Sequence, residues 1–254
     1  MPLGGRIVKY TPEQEKAIKC VDKDLVVTAG AGAGKTRVLV DRIIYIIEQG
    51  LAKIDEIVAI TYTRKAALEI MERLRSEIKR RGNSKEFINA KEMLGIAYIG
   101  TIHGFCLRLL QENPVEADLD PSVQILEQPR AMAILKESVS KAIIKGLEDE
   151  KVFDMVAEFG YDKLRSELFE LLIKLRNQGL NGVPRECIQG QQEKTIAGLI
   201  KRALNIYTDK KSEMNVIDYE DQLQMTQKML KGHTEVLEYY REKFKFIMVD
   251  EYQD

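Results

Sequence analysis

Thr28–Thr36 reads TAGAGAGKT, and this stretch decides the fold. It fits the phosphate-binding loop pattern, with Ala29 where the usual first glycine stands, then four residues, then Gly34-Lys35-Thr36. Small residues at Ala29, Gly30, Ala31, Gly32, Ala33 and Gly34 let successive backbone N–H groups curl around a β-phosphate. The helix N-terminus expected directly after them favours negative charge. Lys35 has the reach for β- and γ-phosphates, and the Thr36 hydroxyl is a ligand for Mg²⁺. The flanks agree with this reading. DLVVTA (Asp24–Ala29) precedes the loop as an apolar run, and Leu39, Ile43, Ile46 and Ile47 follow it as a helical stripe that Gly50 can stop.

Three further apolar runs have the same character: EIVAIT (Glu56–Thr61), GIAYIGT (Gly95–Thr101) and FKFIMVD (Phe244–Asp250). They are nearly continuous in apolar residues, which suits strands of a parallel sheet covered on both faces. Between the second and third runs, Ala67, Ile70, Leu74 and Ile78 recur at helical spacing, with Gly82 beyond them. Strand alternating with helix predicts an α/β domain. The unusual stretches TYTRKAA, GTIHGF and DEYQD each follow one of these strands. All of them, with the glycine-rich loop, are therefore expected at the ligand-binding edge of an open parallel sheet.

The pair Asp250-Glu251 takes its meaning from the loop. A strand ending in Asp250 directs a carboxylate toward the Mg²⁺ that Thr36 also holds, and Glu251 can orient and deprotonate an attacking water. Adjacent carboxylates without such a loop would read as solvated charges.

From Asn113 to about Asn215 the character changes. NPVEADLDPSVQILEQP is a Pro- and Asp-punctuated linker, followed by helical stretches at Arg130–Leu147, Lys163–Asn177 and Gln191–Tyr207 and by no convincing strand. Two more helices, near Tyr219–Leu230 and at Thr234–Lys243, lead into the last strand. The expected division is an α/β body of residues 1–112 and 215–254 with an all-helical insertion at 113–214.

With 254 residues, 44% apolar and 31% charged, the chain has the composition of a soluble globular protein. Its apolar runs are too short to cross a bilayer, and MPLGGRIVKY lacks the apolar region of a secretory signal. Cys20, Cys106 and Cys187 are odd in number and scattered, which points to a reducing, cytoplasmic setting and away from a disulfide framework or zinc site. Net charge is −1, yet residues 1–112 carry +5 and the remainder −6. Most of the basic excess lies in Arg64–Lys91, which is either a phosphate-attracting stripe or a solvated helix face with pairs such as Glu69–Arg73 and Arg73–Glu77.

In order along the chain, TPEQEKAI, AGAGAGKTRVLVDRI, ITYTRKAALEIMERL, IGTIHGFCLRLL, VIDYEDQL and FIMVDEYQD resemble the Q motif, motifs I, Ia and Ib, the segment before motif II, and motif II of superfamily 1 DNA helicases of the UvrD/Rep/PcrA and AddA/RecB type. The resemblance implies a RecA-like P-loop domain, 1A, with a parallel sheet and an inserted helical subdomain, 1B. It also implies ATP and Mg²⁺ as cofactors and translocation on single-stranded or partly duplex DNA, usually 3′ to 5′. Gln14 would hydrogen-bond the adenine and Arg37 would lie against the base. Lys35, Asp250 and Glu251 would carry catalysis. Tyr62, Thr63, Arg64, Thr101 and His103 would line the DNA path, where aromatic rings stack on bases and small polar groups bind phosphate. Alone, His103 also fits a structural histidine and Tyr62 a core residue.

Two departures stand out. Tyr62 and Arg64 stand where TFTN is common, and Ala33 stands where serine is common in the loop. The resemblance also implies that a second RecA-like domain, absent from these residues, is a partner, and that these residues alone turn over ATP at near-background rate. Two alternatives remain open from the residues: a non-catalytic P-loop DNA-binding module, and a stand-alone P-loop NTPase or kinase.

Overall fold

In a computed structural model, residues 10–30, 32–82 and 84–253 are described. They form two bodies, one running up to Phe105 and resuming at His233, the other comprising Cys106–Gly232. Helices combine with a parallel sheet, so the α/β class with a helical insertion holds.

The first body is built around β1 (Ile57–Thr61), whose five residues are all buried. It pairs in parallel with β2 (Tyr98–Thr101) on one side and β5 (Phe246–Val249) on the other, giving the order β2-β1-β5. The registers place Ile60 beside Gly100 and Val249, and Thr61 beside Thr101. All three C-terminal ends therefore lie along one rim. Helix α1 (Pro12–Lys19) precedes the glycine-rich loop, α2 (Lys35–Glu48) follows it, and α3 (Arg64–Arg81) follows β1. The core joins Ile43, Ile44, Ile46 and Ile47 of α2 to Ile57 and Ala59 of β1, Ile70, Leu74 and Ile78 of α3, and Met248 of β5. Phe87 and Ala90 on α4 (Lys85–Met93), a short helix capped by Ser84, complete it. Each fully buried aliphatic side chain contributes about 1.5–3 kcal/mol, so this isoleucine-rich contact fixes the sheet against its helices.

Two features differ from expectation. Asp24–Ala29 is not a strand: among the described residues no strand pairs with it, and Val26 is 89% exposed. An apolar run signals extended backbone, but a strand also needs a neighbour to accept its ladder of hydrogen bonds. Double coverage holds for β1 but not for β5, whose Ile247 and Val249 are exposed while Met248, pointing to the other face, is buried. The entry to β5 is pinned firmly. Lys245 N–H donates to the Glu56 carbonyl (2.9 Å), its ammonium pairs with the Glu56 carboxylate (2.8 Å), and Lys243 Nζ donates to Tyr98 Oη (2.7 Å).

Helix α5 (Ile102–Glu112) runs on from β2 into the second body. That body is helical: α6 (Gln128–Gly146), α7 (Glu150–Phe159), α8 (Tyr161–Asn177), α9 (Gln191–Glu213) and α10 (Tyr219–Gly232). Its core links Leu135, Val139 and Ile143 of α6 to Leu168 and Leu172 of α8 and to Leu199, Ile200 and Tyr207 of α9. At Gly146 a Cβ would meet Arg202 Nη1 at 2.8 Å, Val152 at 3.1 Å and Leu199 at 3.2 Å, so a larger residue there would press α6 against α7 and α9. A two-residue parallel bridge joins β3 (Gln124–Ile125) to β4 (Val216–Ile217), too short to leave a pattern in the sequence. Helix α11 (Thr234–Lys243) returns to the first body.

A buried polar centre organises the end of the second body. The Asp218 carboxylate accepts from Arg176 Nη2 (2.6 Å), Tyr207 Oη (2.6 Å) and Lys211 Nζ (3.2 Å). Lys211 also pairs with Asp221. Asp218 and Asp221 exchange backbone-to-carboxylate bonds of 2.9 and 3.0 Å at the start of α10. Among the described residues no helix is long and apolar enough to cross a membrane.

Candidate nucleotide and DNA site

The glycine-rich loop takes the backbone conformations that its composition permits. Gly32 has φ +76° and Gly34 φ +83°, a region that L side chains rarely enter. Gly34 caps α2 without any side-chain hydrogen bond, which leaves the first N–H groups of the helix available to an anion. Ala31, expected at the phosphates, lies outside the described residues. Ala33 N–H donates to the Gly30 carbonyl at 3.3 Å, closing the turn.

Gln14 holds the loop from behind. Thr11 caps α1 in a capping box: Gln14 N–H donates to Thr11 Oγ1 and Thr11 N–H donates to Gln14 Oε1 (3.0 Å). The Gln14 Nε2 then donates to the Ala33 carbonyl (3.0 Å). The carboxamide so fixed still has one N–H and one lone pair to offer a ligand. Arg37, in the first turn of α2, is exposed, with its guanidinium 5.8 Å over the Tyr10 ring and its Nε 3.8 Å from Asp41.

Lys35 Nζ donates to the Ala29 carbonyl (3.4 Å) and lies 3.6 Å from Glu251 Oε1. Thus the loop and the end of β5 meet at one place. Asp250 is tied to the neighbouring strand by its N–H, which donates to the Ile60 carbonyl at 2.7 Å, and its carboxylate accepts from Glu251 N–H (3.1 Å). Burial, reinforced by the charge of Glu251, pushes the Asp250 carboxyl above its ordinary value. Glu251 is held below its own by Gln253 and then by Lys35. Glu251 also has φ +53°, a left-handed conformation that costs a non-glycine residue about 1 kcal/mol or more and recurs where side chains are aimed for function. Thr36 follows Lys35 in the first turn of α2. The oxygens of Thr36 and Asp250 are hard donors that suit Mg²⁺, and a half-buried carboxylate of raised pKa gains from a cation beside it. Among the described residues no group of three or more His, Cys, Asp or Glu is placed to cage a metal. Mg²⁺ asks for less from protein at such sites, where one or two side chains act together with substrate phosphates.

Along the same rim, β1 ends in Tyr62, Thr63 and Arg64. Tyr62 is 65% exposed, so it is not a core residue. Thr63 caps α3, its Oγ1 accepting from Ala66 N–H (3.1 Å), and Arg64 opens the helix. From the adjacent β2, Thr101 Oγ1 accepts from Gly104 N–H (3.2 Å), fixing the turn into α5 that carries His103. Burial lowers the His103 pKa, favouring neutral imidazole. The basic stripe on α3 is partly spent internally. Arg73 pairs with Glu69 as expected, but Glu77 pairs with Arg80 and Arg81 instead of Arg73, and Arg81 also reaches Glu48.

Sequence reasoning missed Tyr10 and Asp41, whose hydroxyl-to-carboxylate bond sits beside Arg37. Tyr10 directly precedes the Thr11 cap, and that adjacency was the available signal.

Comparison with known proteins identifies the family. The sequence profile of the UvrD/REP helicase N-terminal domain matches residues 10–254. An ATP-dependent helicase/nuclease subunit of Ligilactobacillus salivarius is 35% identical over 65% of this chain and 14% of its own length. A probable DNA helicase II homolog of Rickettsia conorii is 29% identical over 96% of this chain and 33% of its own length. The ATP-dependent DNA helicase PcrA of Staphylococcus aureus is 28% identical over 95% of this chain and 29% of its own length. The chain thus spans a third or less of these relatives. The match over nearly every described residue, with the loop, Asp250-Glu251 and the two strand-end clusters on one rim, means that this chain belongs to the UvrD/REP helicase family through its N-terminal domain.

Proposed function

We propose that this chain is the nucleotide-binding and part of the DNA-binding machinery of an ATP-dependent DNA helicase that moves along single-stranded DNA. The observation that carries the reading is the meeting of Lys35 with Glu251 on the rim that also bears Tyr62–Arg64 and Thr101–His103. Gly30–Gly34 and the free end of α2 receive the phosphates, Lys35 turns from Glu251 to the β- and γ-phosphates, and Gln14 and Arg37 face the base. Thr36 and Asp250 would hold Mg²⁺, which when bound neutralises charge on the phosphates. Glu251, once released by Lys35, takes a proton from the attacking water. Tyr62 stacks on a base, while Thr63, Arg64, Thr101 and His103 engage the strand.

The body that holds the sheet is assigned to ATP and the helical body to the insertion of the family. The three cysteines, Cys20, Cys106 and Cys187, are unpaired, which supports a reducing cytoplasmic setting. Slow turnover by these residues alone is part of the proposal. The groups meant to act on phosphate and water neutralise each other here, and a charge-stabilising arginine from another domain accelerates comparable phosphoryl transfers by about 10³–10⁵.

The test is paired binding by the 254-residue chain of a fluorescent ATP analogue with Mg²⁺ and of labelled single-stranded DNA. Lys35→Ala is expected to abolish nucleotide binding and spare DNA, and Tyr62→Ala to weaken DNA binding and spare nucleotide. Unchanged nucleotide affinity in Lys35→Ala overturns the reading.

A further inference from the structure

Beside the loop, Arg37 is the exposed cation that follows Thr36, with 47% of its side chain open to solvent. A long side chain so exposed samples many rotamers unless something holds it. Two groups do. Asp41, one helical turn on and only 15% exposed, sits 3.8 Å from the Arg37 Nε. Tyr10 lies beneath the guanidinium, 5.8 Å from ring centroid to carbon, and donates its hydroxyl to the same Asp41 carboxylate. Tyr10 is itself fixed. It packs against the cluster of Ala17, Ile18 and Val38, and it immediately precedes the capping box through which Gln14 grips the loop. A planar cation placed over a ring, on the helix that the loop opens, offers a stacking face, and the carboxamide that grips the same loop offers one unused donor and one unused acceptor. That pairing suits a heterocycle attached to the phosphates in the loop.

We propose that Tyr10 and Asp41 are positioning residues that set Arg37 as a wall of the base pocket, so that the chain selects its nucleotide by the heterocycle as well as by the phosphates. The inference rests on the loop's being a nucleotide site. Burial and the bond to Asp41 raise the Tyr10 pKa, so the hydroxyl stays a donor across the working range of pH.

The experiment compares ADP with pyrophosphate, which has no base, by calorimetry on the 254-residue chain with Mg²⁺. Tyr10→Leu keeps the apolar packing and removes the ring. It is expected to weaken ADP about 3- to 10-fold and leave pyrophosphate unmoved. Tyr10→Phe, which retains the ring, is expected to restore most of that loss, and Asp41→Asn to weaken ADP alone. Equal loss of both ligands in Tyr10→Leu, or no loss of either, overturns the proposal while leaving the nucleotide site standing. Wild-type chain that binds neither ligand overturns the nucleotide site and this proposal together.

Discussion

Lys35 and Glu251, far apart in sequence, hold each other at 3.6 Å with both side chains about one-third exposed. In the proposed function this contact is a placeholder: Lys35 would turn to phosphate and Glu251 to water, so entry of phosphate would separate them before either acts. Glu251 makes this contact from a left-handed backbone, φ +53°.

Glu251→Gln should therefore leave nucleotide affinity equal to wild type or raise it a few-fold, because Lys35 loses an anionic competitor. Any ATP turnover above background should fall to background, since a general base usually contributes about 10²–10⁴. Equilibrium titration and a phosphate-release assay on the same protein check the two halves. A variant that binds nucleotide much more weakly would show that Glu251 shapes the loop instead of competing with phosphate.

Tyr62→Ala should weaken single-stranded DNA binding by about 5- to 150-fold, since each base stacked on an aromatic ring is worth about 1–3 kcal/mol. Arg64→Ala should act through charge: weaker binding on every sequence, with a salt dependence shallower by about 0.7 in log–log slope if one phosphate contact is lost. Fluorescence anisotropy at several salt concentrations separates the effects. A salt slope unchanged in Arg64→Ala would place that side chain off the phosphate path.

Much of this was legible in the sequence because it rests on local pattern. The glycines at 32 and 34, the stripe from Ala67 to Ile78, and the apolar run into Asp250 each reflect a constraint acting within a few residues. What was not legible depends on partners distant in sequence. Asp24–Ala29 has the composition of a strand, yet strand pairing is decided by a neighbour. Tyr10 gives no sign in sequence that its hydroxyl meets Asp41, and VIDYEDQL does not reveal that Asp218 collects Arg176, Tyr207 and Lys211. Short elements such as α4 and the β3–β4 bridge fall below the length at which periodicity can be read.

Gly146→Ala should destabilise the helical body by about 1–3 kcal/mol, the usual cost of overpacking a close helix contact. Arg202 Nη1 can swing aside, but Val152 and Leu199 are held within the core. Urea unfolding followed by helical circular dichroism measures the loss, and the sheet-bearing body should retain nucleotide binding. A neutral result would mean that α6 and α9 separate freely.

Asp218 is the sharpest test of what holds the helical body together. Burial alone would raise its pKa, but the charges of Lys211 and Arg176 and the Tyr207 hydroxyl outweigh it, leaving the carboxyl below its ordinary value of 3.8. A depressed folded pKa means stability that is fully present above the unfolded value and is lost as pH falls through the folded one. Wild-type stability should thus decline from about pH 4 downward as Asp218 takes a proton. Asp218→Asn should be about 3–5 kcal/mol less stable at neutral pH, because two cations are left in a buried site with one anion removed. It should also lose the part of the acid dependence that Asp218 supplies, so the two stability curves converge as pH drops. Urea melts of both proteins in a series from pH 7 down to about pH 2 decide the matter. If the gap between them does not narrow anywhere in that series, the carboxylate's charge is not what stabilises this body, and its shape and hydrogen bonds are.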